Sequence, residues 1–114
     1  MNLKQKVAVL AVTGAALFAA TPAMAGDMYG SSGGAVAWSY GTNASVAVSD
    51  NKADGDETYA EYHRRTTDNH ELRNYSGSGT TVYSGADSVN YVRALKACQE
   101  IDFKADTCSA WSYR

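Results

Sequence analysis

Residues 35–48 read AVAWSYGTNASVAV, and this stretch decides the fold. Val36, Trp38 and Tyr40 alternate with Ala35, Ala37 and Ser39. A period of two sends alternate side chains to opposite faces, so the pattern predicts a strand with one well-filled face. Gly41-Thr42-Asn43 turns the chain. Val46 and Val48 alternate again, which predicts a second strand.

Downstream the pattern continues in short pieces. Residues 50–56 (DNKADGD) form a polar loop with Gly55 near its end. Residues 58–66 (TYAEYHRRT) accommodate either helix or strand. The Tyr and Thr content and the lack of caps favour a strand. Leu72–Tyr75 and Thr80–Tyr83 are predicted short strands, the second flanked by Gly77, Gly79 and Gly85. Val89–Glu100 is apolar enough for a strand, although its Arg93–Ala97 centre also suits a helix. After a loop at 102–107, Cys108–Tyr113 is the last predicted strand, with Trp111 and Tyr113 on one face. Six or seven short strands with this spacing predict an all-β fold, a small antiparallel β-sandwich or barrel.

Upstream lies a different kind of sequence. Lys4 and Lys6 precede an uncharged apolar run, Val7–Ala20, which leads to Thr21-Pro22-Ala23-Met24-Ala25. Small residues at Ala23 and Ala25, just after a helix-breaking Pro, complete the pattern of a secretory signal peptide. The expected cut falls between Ala25 and Gly26. The run of about 14 residues is shorter than the roughly 20 that span a bilayer, and no later stretch is apolar enough to span. The expected organisation is therefore a signal at 1–25, a flexible lead-in at 26–34 (GDMYGSSGG) and one β domain at 35–114. The expected location is secreted and extracellular, with no transmembrane anchor after processing.

The 114-residue chain carries a formal charge of −2. Removing Lys4 and Lys6 with the signal leaves 8 basic against 12 acidic residues, or 8 − 12 = −4. Mild acidity argues against nucleic acid, whose binders carry a basic face. Large aliphatics are few while Tyr numbers 8, so an aromatic core is expected. So small a domain needs a staple. The 2 cysteines, Cys98 and Cys108, supply one. In an exported chain an even pair reads as a disulfide, contributing roughly 3 kcal/mol for so short a loop.

No pattern assembles a catalytic set. Gly30-Ser31-Ser32-Gly33-Gly34 fits G-x-S-x-G by letter. The nucleophile elbow, however, requires a strand before it and a helix after it in a large α/β sheet. The acidic loop Asp50–Glu57 faintly suggests calcium, but Lys52 stands where an EF-hand wants Asp or Asn, and the plain reading is a solvated turn. His63 and His70 match no zinc spacing, and Glu61 and Glu71 join them only if their strands pair. Arg64 and Arg65 read as a solvated edge. Asn43-Ala44-Ser45 and Asn74-Tyr75-Ser76 are glycosylation sequons by pattern. No catalytic residue, cofactor or metal is expected.

Three segments carry a resemblance: residues 46–55 (VAVSDNKADG), residues 79–85 (GTTVYSG), and Tyr91-Val92-Arg93 through Ala97-Cys98 to Asp106-Thr107-Cys108-Ser109-Ala110-Trp111. Together they resemble small secreted proteins of Streptomyces and related actinobacteria, which are functionally uncharacterised. The resemblance implies a β-sandwich with a disulfide between its last two strands, and it implies no activity. The Ala94-Leu95-Lys96 insertion departs from the group and bears on the register of the penultimate strand. The leading expectation is a non-enzymatic extracellular binding module for a protein, a glycan or the cell envelope. The alternative is a secreted inhibitor or antagonistic toxin acting through an exposed loop at 50–57 or 102–107. A small hydrolase ranks third.

Overall fold

The computed structural model describes residues 10–12, 16–18 and 27–114. The expected cut at Ala25–Gly26 lies outside the described residues, as does most of the expected signal. Within that region only β1 (Leu10–Val12) and β2 (Ala16–Phe18) are described, an antiparallel pair.

The alternating run at 35–48 forms β4 (Ala35–Tyr40) and β5 (Ser45–Asp50). They are flanked by β3 (Tyr29–Ser32) and β8 (Thr80–Tyr83) in a four-stranded sheet of order β3-β4-β5-β8. The second sheet contains β6 (Glu57–Arg64), β7 (His70–Asn74) and β9 (Val92–Glu100), in the order β9-β6-β7. Two short strands, β10 (Thr107–Cys108) and β11 (Ser112–Tyr113), pair with the free side of β9. Every pairing is antiparallel, and no helix occurs among the described residues. The expected all-β sandwich is the fold, and both segments that a helix also suited are strands.

Within the expected lead-in at 26–34, residues 29–32 form β3. Met28 is buried and β3 pairs fully with β4, from Tyr29↔Trp38 to Ser32↔Ala35. Gly33 and Gly34 make the tight reversal that allows it. At Gly33, with φ +58°, any larger residue is strained by the left-handed backbone, and its Cβ, 2.0 Å from Gln99 Oε1, would also push the Gln99 side chain aside.

The faces of β4 are also corrected. Ala35, Ala37 and Ser39 point inward and are fully buried, while Val36, Trp38 and Tyr40 point outward and are half-buried. The core joins Val46, Val48, Val92, Leu95 and Met28 to the alanines at 35, 37, 60 and 97. Tyr62 is its one aromatic member among the described residues. The reason is steric. Small side chains on facing strands let two short sheets approach closely, and the wide rings then belong outside. The expected aromatic core is thus an alanine–valine–leucine core with aromatics on the outer faces.

Arg64 is buried, which overturns its reading as a solvated edge. Its guanidinium donates to the carbonyls of Ala44 (3.1 Å), Gly85 (3.0 Å) and Asn90 (2.9 Å). These bonds pin the 84–91 connection to the body. The strand expected from Val89 begins at Val92, and the exposed Val89 belongs to a turn organised by Asp87 Oδ1. A register shift falls at His63/Arg64, opposite Arg93, while Ala94, Leu95 and Lys96 pair regularly with His63, Tyr62 and Glu61. The last predicted strand is split: Ser109 N–H donates to the Ala97 carbonyl between β10 and β11, and Trp111 lies off the strands.

Candidate functional site

Cys98 and Cys108 sit directly opposite each other on β9 and β10 and are joined by a disulfide with Cα atoms 4.1 Å apart. The bond fits an oxidising compartment. It closes a loop at whose tip Lys104 N–H donates to the Ile101 carbonyl at 3.2 Å. Phe103 is the third residue of this turn. It has φ +62°, a backbone that favours Gly or Asn, and it is 106 % exposed. Phe103 lies in the candidate loop at 102–107, but as an aromatic it counts toward the expected core, and the structure exposes it instead.

The outer face of the β9-β6-β7 sheet is charged. Arg73 lies 4.3 Å from the Tyr59 ring centroid and bonds Glu57 (3.1 Å), Glu71 (2.8 Å) and Glu100. Burial works against its charge, but the three carboxylates outweigh it and hold the guanidinium above the ordinary arginine range. Tyr59 donates its hydroxyl to Asp106, and burial, followed by Asp106, pushes its phenol well above the usual tyrosine range. Beside this hub, β6 and β7 bring Glu61 directly opposite Glu71, and Tyr62 opposite His70. A depression of about 360 Å³ collects Glu61, His63, Asn69, His70, Glu71 and Trp111. This is the grouping expected if the two strands paired.

Its chemistry is already occupied. Glu71 is paired with Arg73, and Glu61 with Lys96 at 3.4 Å. His63 stacks on Trp111 at 4.6 Å, and its Nδ1 accepts the Asn69 N–H at 3.1 Å. His70 Nε2 lies 2.7 Å from Thr67 Oγ1, and its ring stacks on Tyr62. No carboxylate here is placed as a free proton donor beside an unpaired base.

The other motifs resolve locally. Ser32 lies on β3 and leads into a hairpin, not a helix. Asp54 and Asp56 both accept from Gln99 Nε2, at 2.7 and 2.9 Å, so the acidic loop is tied to the sheet rather than merely solvated. Among the described residues no group of three or more His, Cys, Asp and Glu is placed to hold a metal. Asn43 and Asn74, the sequon asparagines, are both buried.

The outer face of the four-stranded sheet is unlike all of this. Tyr29, Trp38, Ala47 and Tyr83 are consecutive cross-strand partners and form one row across all four strands. Tyr29 is 56 % and Tyr83 62 % exposed, while Ala47 is fully covered between its ring-bearing neighbours. Tyr40 meets Tyr83 edge to face, with centroids 5.9 Å apart. The next row is Ser31, Val36, Ser49 and Thr81. Burial raises the Tyr29 phenol above its ordinary value, opposed by its bond to Ser31, so the ring stays neutral. No charged residue occupies an outward position of these four strands.

Comparison with protein-family models, with curated proteins and with solved structures returns no match. Fold and surfaces together define a small disulfide-closed β-sandwich with two unlike outer faces, one charged and one uncharged and aromatic.

Proposed function

We propose that this chain is an exported, non-enzymatic binding module that engages its partner through the outer face of β3, β4, β5 and β8. The in-register row Tyr29–Trp38–Ala47–Tyr83 carries this reading. Rings left half-exposed on a rigid sheet offer large contact area at little conformational cost. The signal-like N-terminus, the disulfide and the resemblance to small secreted actinobacterial proteins support an extracellular setting. The pairing of Glu61, Glu71, His63 and His70 with other groups supports a binding role over a hydrolytic one. The test is retention of the oxidised mature protein on culture-fluid and envelope fractions, with Trp38→Ala alongside. Equal retention of both proteins, or of neither, counts against the reading. A mass spectrum starting at Gly26 and two hydrogens light of the reduced chain tests the export reading.

A second reading has its own observation. Phe103, on a left-handed backbone at the tip of the disulfide-closed loop, is suited to filling a pocket of a target enzyme, as an inhibitor or antagonist would. Inhibition panels of proteases and amylases, with growth assays on competing bacteria, test it. Inactivity in both removes it.

A further inference from the structure

Resting on the binding reading above, we propose that the uncharged outer face takes a neutral polysaccharide chain laid across its strands. The row runs along the hydrogen-bonding direction of the sheet. Neighbouring strands lie about 4.8 Å apart, so Tyr29 to Tyr83 spans roughly 14 Å, an extended platform rather than a pocket. Its profile is stepped. Ala47 keeps the centre low between Trp38 and Tyr83, and the edge-to-face contact of Tyr40 with Tyr83 tilts one ring against the other. A sugar ring presents an apolar C–H face and a rim of hydroxyls. The rings here match the first, and the phenols with Ser31 and Thr81 match the second.

Charge selects among partners. The mature chain has 8 basic and 12 acidic residues, yet none stands outward on this face. On the other sheet the outward positions include Glu57, Glu61, Glu71, Arg73, Lys96 and Glu100. Nucleic acid and acidic glycans would find no cation here to replace their counterions. A protein partner binds best through anchors seated in desolvated pockets with a polar, charge-bearing rim. This face has open rings and hydroxyls instead, which is the complement of an uncharged glycan.

The test is affinity electrophoresis of the oxidised mature protein in gels containing hydroxyethylcellulose, glucomannan or laminarin, with carboxymethylcellulose as the charged comparison. At least one neutral glycan is expected to retard the protein and to quench its indole emission. Tyr29→Ala and Tyr83→Ala, both at exposed positions and checked for unchanged melting, are expected to weaken binding at least tenfold. Trp111→Ala, on the other sheet, is expected to bind as the parent does. No retardation in any neutral gel, or equal retardation of the Tyr variants, overturns the proposal. The same proteins are then spun with source-cell envelope before and after periodate oxidation of its glycans. Binding that survives periodate but is lost in Tyr83→Ala overturns the glycan while leaving the face as a protein site. A parent that dimerises through this face in sedimentation velocity also overturns it. Variants that match the parent throughout overturn the binding face as well.

Discussion

Arg64 and Asn90 are joined by a bond of 2.9 Å from a buried guanidinium to a main-chain carbonyl, and no carboxylate among the described residues pairs with Arg64. The cation is solvated by the chain's own carbonyls at 44, 85 and 90. Arg64→Leu removes these donors together and leaves buried acceptors unpaired. A loss of about 3 kcal/mol is expected, read as a lower urea midpoint, with Arg64→Lys recovering only part of it.

Phe103 holds a left-handed backbone that Asn adopts more readily than Phe. Phe103→Asn is expected to stabilise the protein by about 1 kcal/mol, since the exposed ring has no packing to lose. For a domain of this size that raises Tm by roughly 4–8 °C in calorimetry. A Tm that falls would show that the ring is held by contacts of its own.

Removing the Cys98–Cys108 bond frees a loop with a sequence separation of 10. The Cys98→Ala/Cys108→Ala pair is expected to lose about 2–3 kcal/mol, read from denaturant midpoints. Cys98 is fully buried, so part of the loss persists even when the parent is compared in its reduced form.

Tyr59 sets an alkaline limit. Its phenol is raised in the folded protein, so the unfolded chain gives up this proton first as pH climbs. The stabilisation is whole below about pH 10, the ordinary tyrosine value, and is lost progressively above it. Urea midpoints between about pH 9 and 11 are expected to fall for the parent and to fall less for Tyr59→Phe, which has no proton to lose.

Among the described residues Leu95 is the largest fully buried side chain. Leu95→Ala is expected to cost about 2–5 kcal/mol because an alanine-rich core has little bulk with which to close the cavity. A loss under about 1 kcal/mol in chemical denaturation would show that the sheets close around the gap.

Strand positions were legible because a period of two survives even in so Tyr-rich a chain. Val46 and Val48 announced β5, and Thr80–Tyr83 forms β8 with the expected ends. The side on which the core lies was not legible. Hydrophobicity favoured Val36, Trp38 and Tyr40, but the choice between faces is made by the sheet that packs opposite, whose core members are Ala60, Tyr62, Val92, Leu95 and Ala97. The same blindness hid the site. Tyr29, Trp38 and Tyr83 are scattered over 54 positions of sequence, counted as 83 − 29, and only cross-strand register brings them into line. The burial of Arg64 and the exposure of Phe103 were missed for a related reason. One is a charge satisfied by carbonyls distant in sequence, and the other departs from a backbone preference that letters alone do not display.

The uneven placement of charge gives the molecule a front and a back. No charged residue stands outward on β3, β4, β5 or β8, whereas Glu57, Glu61, Glu71 and Glu100 outnumber Arg73 and Lys96 on the outer face of the other sheet, so the electric field around the molecule is lopsided. Near an anionic surface the acidic side is repelled more strongly, and the molecule rotates until the rings face that surface. Salt shortens the reach of this torque to about 8 Å at physiological ionic strength. Alignment therefore acts only in the last approach, within that distance of the surface.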